Sequence, residues 1–535
     1  MQWKGPYKIR EKLNRMNYRV DLGNRVQTFH ANLLKRYYRR NEDINPLQKS
    51  KTNEAFEVVT LALLPIEAKD ESIGEPKGDE ILHLPPVVPN EGIEDVNINV
   101  QLDWETTGQI KRILSNFKDV FTDIPGKTTS GKHVIQVIDE TPIRCKPYST
   151  PHALREEMEK DIQSIDMGIV TRGDGEYAFP LVALRKPDGT LRHCVDLRKL
   201  NQVTKVDAEP IPDQEEIFAK LSKDLYFSKI DLSKGYWQVP MDDKSKKYVS
   251  FITHGGLYQF ETMPFGLVNA AATFSRIMRK LLQGLSGVHN YIDDILIHSP
   301  TWEEHKRKLL EVFKRLRKAN LTAKPTKCFI GYDEIEFLGH LIGRGLVKPK
   351  PDKIEAVKRA LRPKTKKELR SFLGLVGYYR RFIPDFAAIA CPLTDCTKKG
   401  APNKIIWGES QERSFGTLKG SLIKSPILHL PNLEKIFILR SDASDIGIGS
   451  VLLQVEGEET FPLAFASKKL NKAQKGYSVT EKECLAIVWA VQKFEPYLFG
   501  REFIIQTDHQ PLACLKRNKI ANGRILRWGT CSTAI

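Results

Sequence analysis

The stretch NYIDDILIHS, residues 290–299, sets two aspartates side by side inside a run with the apolar, β-branched composition of a buried strand. A regular strand cannot accept both, because its side chains alternate faces and neighbouring carboxylates would point in opposite directions. A tight hairpin can. If VHNY and ILIHS are antiparallel strands and Asp293 and Asp294 occupy the turn, both carboxylates emerge at one sheet edge. Like charges that close raise each other's proton affinity unless a cation neutralises them, and oxygen-only ligands suit Mg²⁺. Asp-Asp is also ordinary turn chemistry, so the pair alone does not separate a metal site from a turn.

A partner carboxylate lies upstream. In LYFSKIDLSKGYWQVPM, the segment YFSKI predicts a strand with Asp231 at its end, followed by a turn or helix at SKGYW. Three carboxylates at strand ends are the inventory of nucleotidyl transfer, in which two cations activate a 3′-hydroxyl and support the departing pyrophosphate. The net charge of +17 favours a polyanionic partner, whether nucleic acid or an anionic membrane surface. At 535 residues the chain exceeds one core, and length suggests about three or four domains. The eight cysteines include no C-x-x-C pair, which argues against a zinc knuckle or disulfide framework and fits a reducing compartment. No run of about eighteen apolar residues and no signal-peptide core occurs, so an intracellular protein is the expectation.

Residues 1–40 are basic and strand-like (YKI, NYRVDL, VQTFHANLL) and predict a small β unit. Residues 41–100 hold thirteen acidic against four basic residues and predict a flexible acidic linker. A helical period returns in LDWETTGQIKRILSNFKDVF, and PDG at 187–189 marks a hairpin. Between 344 and 370, eleven Lys/Arg stand against three acids, as a solvated helix face or a phosphate-tracking surface. Further on, IFILRSDASDIGIGSVLLQ predicts two strands with Asp442 near the middle of a sheet. SVTEKECLAIVWAVQKF predicts a helix with Cys484, Ile487, Val488, Val491 and Phe494 on one face, and FIIQTDHQ a strand ending at Asp508. Glu483 is a third acid there, although Thr480 and Glu483 also fit a capping box that would give this glutamate a structural task.

Taken in order, KPDGTLRHCVDLRKLN (186–201), SKIDLSKGYWQVPM (228–241), MPFGLVNAAATF (263–274), YIDD (291–294) and FLGHLIGRGL (337–346) resemble the reverse transcriptases of gypsy-type LTR retrotransposons. With the RNase H region, the resemblance covers roughly residues 101–528. It implies an α+β multidomain chain, a right-hand polymerase with an N-terminal segment and fingers at 101–225, palm at 226–345 and thumb and connection at 346–435. A truncated RNase H-like α/β domain follows at 436–535. The implied activity is RNA-directed DNA polymerisation with two Mg²⁺ ions per active site, Mn²⁺ being the alternative.

By that resemblance Asp231, Asp293 and Asp294 are the palm carboxylates, and the backbone carbonyl of Leu232 adds an oxygen. Lys186 and Arg192 match positions that grip the incoming triphosphate, with Arg185 a competitor to Lys186. Tyr236 matches the steric gate against a ribose 2′-hydroxyl, Phe265 and Gly266 lie near the new base pair, and Phe337–His340 resemble a primer-holding hairpin. By residue type alone, the basic residues would be a solvated hairpin, Tyr236 a core aromatic and Phe337–His340 a buried strand. Asp442, Glu483 and Asp508 would hold two ions that cleave the RNA of an RNA–DNA hybrid. The implied partners are an RNA template, a DNA primer, the hybrid and deoxynucleoside triphosphates, with no membrane; a cytoplasmic particle and a nuclear phase are implied by the family.

Residues 3–38, from WKGPYKI to KRYY, resemble the GPY/F module of gypsy-type integrases, a small SH3-like β barrel that helps bind DNA. In the RNase H family a fourth aspartate follows RILRW, whereas here GTCSTAI follows, so a weak or absent nuclease is expected. The alternative is a decayed or domesticated copy that only binds nucleic acid. A non-LTR or telomerase-like polymerase shares the palm but is disfavoured by the RNase H resemblance.

Overall fold

The computed structural model describes residues 89–148, 168–185, 191–210, 212–424 and 426–508, with backbone alone at 183–185 and 191–193, together with the backbone of five strands between Trp3 and Ala62. Lys186 and the segment GTCSTAI lie outside the described residues. The chain divides into two units, 1–85 and 86–535. No helix among the described residues is long and apolar enough to cross a membrane.

In the first unit, strands Trp3–Lys12, Asn17–Asp21, Val26–His30 and Leu34–Arg36 fall within the basic stretch. A fifth strand, Val58–Ala62, pairs antiparallel with both Trp3–Lys12 and Leu34–Arg36. This corrects the linker reading of 41–100. The apolar, β-branched run VVTLALL has strand chemistry of its own, which the surrounding acids obscured in a charge count. The far end of the stretch is structured too, since Asn97–Ile98 adds to the central sheet of the second unit, parallel to Phe329–Tyr332.

That central sheet presents the aspartates. Tyr226–Asp231 pairs antiparallel with Asp294–Ser299, which pairs in turn with Val288–Tyr291. Alternation sends Ile295 and Ile297 into one core and Leu296 into another, so the sheet is buried on both faces. The helix Trp302–Lys318 packs on the strands from behind. Its N-cap Thr301 accepts from Glu304 N, acids fill its first turn, and Arg315, Arg317 and Lys318 close its last, as the helix dipole favours. From this helix the fully buried His305 meets Ser228 Oγ and Ser299 Oγ at 2.7 Å each, one on each paired strand. Burial pushes its pKa down to about 3, so the ring is neutral, with one nitrogen donating and the other accepting.

A second sheet holds the hairpin that PDG predicts, with Phe179–Arg185 antiparallel to Leu191–Val195 from Leu181↔Val195 to Arg185↔Leu191. Beyond the central sheet come the helices Pro351–Arg359, Lys366–Tyr378 and Glu409–Ile423. Part of the 344–370 basic surplus is paired locally, Lys348 with Glu334 at 2.7 Å, Lys350 with Glu336 at 2.6 Å and Arg359 with Glu355 at 2.8 Å. In the last sheet, Phe437–Ala443, Gly447–Glu456 and Glu459–Lys469 form an antiparallel meander. Phe503–Gln506 runs parallel to the first of these, after a crossover through the helix Val479–Lys493. That helix buries Cys484, Ile487, Val488 and Val491, and Phe494 just beyond it, as the periodicity predicts.

Ile230 and Ile295 are fully buried cross-strand partners beside the aspartates. Replacing either by Ala should destabilise the second unit by about 2–5 kcal/mol, read as a lower denaturant midpoint. Val206→Ala, at a site 74% exposed, should stay within about 0.5 kcal/mol of the parent.

Candidate active site

Tyr291 and Asp294 form the last pair of the hairpin, leaving Ile292 and Asp293 as a two-residue turn. Ile292 has φ 55°, a left-handed conformation that a β-branched residue adopts only when its surroundings impose it. The aspartates are therefore divided, which corrects the placement of both in the turn. Asp293 lies in the turn, and Asp294 opens the next strand directly opposite Asp231. Opposed residues project from one sheet face with Cβ atoms about 5 Å apart. Leu232 N donates to Asp293 O at 3.4 Å, tying the end of one strand to the turn of the other. The three carboxylates thus gather at one end of the sheet, each half-buried.

Their electrostatics suit a cation. Burial pushes the Asp231 carboxyl above its ordinary range; Lys327, 3.5 Å away, opposes this, while Asp294 and Asp293 reinforce it. Asp293 is raised chiefly by burial, with Asp294 adding to the effect. Lys229 Nζ stands 3.1 Å from Asp294 Oδ1, supplying charge without a directed hydrogen bond. A donor set of carboxylates alone, only partly neutralised by two lysines, fits a hard divalent cation. Sequence reading missed both lysines. Strand alternation places Lys229 on the face of Asp231 and could have found it, whereas Lys327 arrives from a distant segment with no local signal.

The short helix Gly235–Gln238 follows Asp231. A Cβ on Gly235 would meet Asp293 Cβ at 3.2 Å and Phe274 Cζ at 3.3 Å, so a residue without a side chain lets the turn close against this helix. The Tyr236 ring lies 5.3 Å from Phe265 and 5.6 Å from Phe274, and its hydroxyl is raised by burial and then by the charge of Asp293. Gly266 has φ 98°, and Asn201 spans its loop, donating to Gly266 O at 2.8 Å and accepting from Val268 N at 3.0 Å. Tyr236 and Phe265 are thus brought together beside the carboxylates. Arg192 is described as backbone alone, opposite Leu184. In the hairpin at 334–343, Leu338 and Gly339 have φ 45° and 71°, and the hydroxyls of Tyr378 and Tyr379 donate to their carbonyls at 2.6 and 2.7 Å. Phe337 and His340 are buried, so only Leu338 and Gly339 form the tip.

A second acidic centre lies in the last sheet. Asp442, Glu483 and Asp508 each offer a carboxylate oxygen within 4.8 Å of the others. Glu483 is 6% exposed; its Oε1 accepts from Ala443 N at 3.1 Å and its Oε2 has no hydrogen-bond partner. The capping box belongs instead to Ser478 and Glu481, where Ser478 N donates to Glu481 Oε2 at 2.9 Å, which frees Glu483 of that task. An orphaned buried carboxylate oxygen facing two further acids fits a divalent cation.

Residues 184–342 match the family model described as reverse transcriptase (RNA-dependent DNA polymerase), and residues 407–505 match that of an RNase H-like domain found in reverse transcriptase. The Pol polyprotein of transposon 297 from Drosophila melanogaster is 40% identical over 441 residues, covering 80% of this chain and 41% of that protein. The Pol polyprotein of transposon gypsy, from the same organism, is 34% identical over 414 residues, covering 74% and 40%. The chain's homologues are the Pol polyproteins of LTR retrotransposons. It spans less than half the length of these Pol relatives. Among solved structures, a foamy viral protease-reverse transcriptase in complex with double-stranded DNA shares the fold with a TM-score of 0.73 and 22% identity, covering 81% of this chain and 92% of that one. The foamy viral protein in complex with an RNA/DNA hybrid gives 0.71 at 22% identity, covering 83% and 62%.

Burial, opposed by the Ala443 amide and reinforced by Asp442 and Asp508, raises Glu483 from about 4.5 to about 7. The folded chain then holds this proton more tightly than the unfolded chain does. Its stabilising contribution is complete below about pH 4.5 and is lost as pH rises through about 7. In a chelator, Glu483→Gln should change the thermal midpoint little at pH 5 and raise it relative to the parent at pH 8. An equal difference at both pH values would count against the raised proton affinity.

Proposed function

We propose that this Pol chain is an RNA-directed DNA polymerase that extends a DNA primer on an RNA template with deoxynucleoside triphosphates. The observation that carries the reading is Asp231 standing opposite Asp294 with Asp293 in the adjoining turn. Divalent cations, Mg²⁺ or Mn²⁺, held by Asp231, Asp293, Asp294 and the Leu232 carbonyl, would lower the pKa of the primer 3′-hydroxyl and neutralise the departing pyrophosphate. The remaining work falls to side chains. Lys186 and Arg192 neutralise the triphosphate, and Tyr236, braced by Phe265 and Phe274, fills the space a 2′-hydroxyl would need. Gly266 gives the new base pair close access to backbone, and the Leu338–Gly339 tip holds the primer. The reverse transcriptase match and the Pol relatives support this assignment.

A second activity is favoured by the Asp442, Glu483 and Asp508 centre, which has the donor set for cleaving the RNA strand of an RNA–DNA hybrid. Primer extension on an RNA template in Mg²⁺ tests the first reading. The unaltered chain should extend the primer, and Asp293→Asn should lose roughly a hundredfold or more while still binding the duplex. Asp442→Asn should leave extension intact and remove hybrid cleavage. Binding without extension by the unaltered chain would establish a nucleic-acid-binding remnant instead.

A further inference from the structure

Asp442 has another acidic neighbour, contributed from outside its own sheet. Residues 380–395 cross the strand Glu459–Lys469, where Ala387 N donates to Ser467 Oγ at 2.8 Å and Lys469 Nζ pairs with Asp395 at 2.8 Å. These contacts bring Asp385 over Gly449. Gly449 is the residue directly opposite Asp442 in the strand register, and the space a Cβ on Gly449 would need is occupied by Asp385 Oδ1. Opposed residues share a sheet face, so the Asp385 carboxylate lies on the same face as Asp442.

Asp385 adopts φ 50°, a conformation Asp tolerates better than most residues, at the start of the short helix Phe386–Ile389. Its side chain is exposed, and no lysine or arginine among the described residues forms an ion pair with it. Independently, Glu483 is more than nine-tenths buried and aims a partnerless oxygen into the same centre. A salt bridge would need a lysine or arginine here. A bound cation needs the carboxylates alone.

We propose that Asp385 is a fourth carboxylate of the Asp442, Glu483 and Asp508 centre, sharing a divalent cation with Asp442 while residues 380–395 are docked on the sheet. The inference rests on the reading of that centre as a metal site. It makes cation loading of the RNase H-like domain depend on a segment that precedes the domain, so that undocking the segment weakens the site.

The test uses the full chain carrying Asp231→Asn and Asp293→Asn, so that the polymerase site does not compete, with Mn²⁺ binding followed by the loss of the free-ion electron paramagnetic resonance signal. Glu483→Gln should remove a binding event from this parent. Asp385→Asn should weaken that event by roughly tenfold. Gly449→Ala should do the same, because its methyl displaces the Asp385 carboxylate without touching the other three acids. If Asp385→Asn and Gly449→Ala bind Mn²⁺ like the parent while Glu483→Gln does not, the proposal falls and the three-carboxylate centre stands. If Glu483→Gln changes nothing, both fall.

Discussion

The register of one strand pair governs the chemistry of this chain. Asp231 faces Asp294 because Ile230 faces Ile295 and Lys229 faces Leu296 along the same ladder. A slip of one residue would turn every side chain of a strand to the opposite face, carrying Asp294 away from Asp231 and Leu296 out of its core. Since the sheet is buried on both faces, such a slip would forfeit two hydrophobic cores at once. His305 adds a polar lock, because its neutral ring can satisfy Ser228 and Ser299 together only in this register. Packing deep in the sheet thus sets the positions of carboxylates at its edge.

The edge itself is assembled at a cost. Like charges are held together in a half-buried place, Ile292 occupies a conformation disfavoured for its type, and Gly235 must lack a side chain so that the turn can close. Such features cluster where a scaffold over-determines geometry for function. The second centre follows the same logic with other elements. A parallel strand pair and its crossover helix bring Asp442, Asp508 and the buried Glu483 together, and the helix core of Cys484, Ile487 and Val491 holds the glutamate in place.

Much of this was legible in the sequence, for identifiable reasons. Asp293 and Asp294 interrupt an apolar run, and Asp231 ends another, so local pattern exposed the central acids and their strands. The division of the pair between turn and strand was not legible, because it depends on turn length and on the left-handed Ile292. Glu483 was ambiguous because Thr480 and Glu483 fit a capping box as well as an acidic centre, whereas in the structure Ser478 and Glu481 cap the helix. Lys327 and Asp385 had no local signal, since each reaches its acidic neighbours only through tertiary packing. The strand Val58–Ala62 was hidden by the acidic charge around it.

The most direct test of the central claim is crystallographic. Crystals of the full chain soaked in Mn²⁺ should show anomalous density between Asp231 and Asp293, lost when Asp231 is replaced by Asn. Density absent from that position while Mn²⁺ occupies other sites in the same crystal would contradict a shared cation centre at the end of the central sheet.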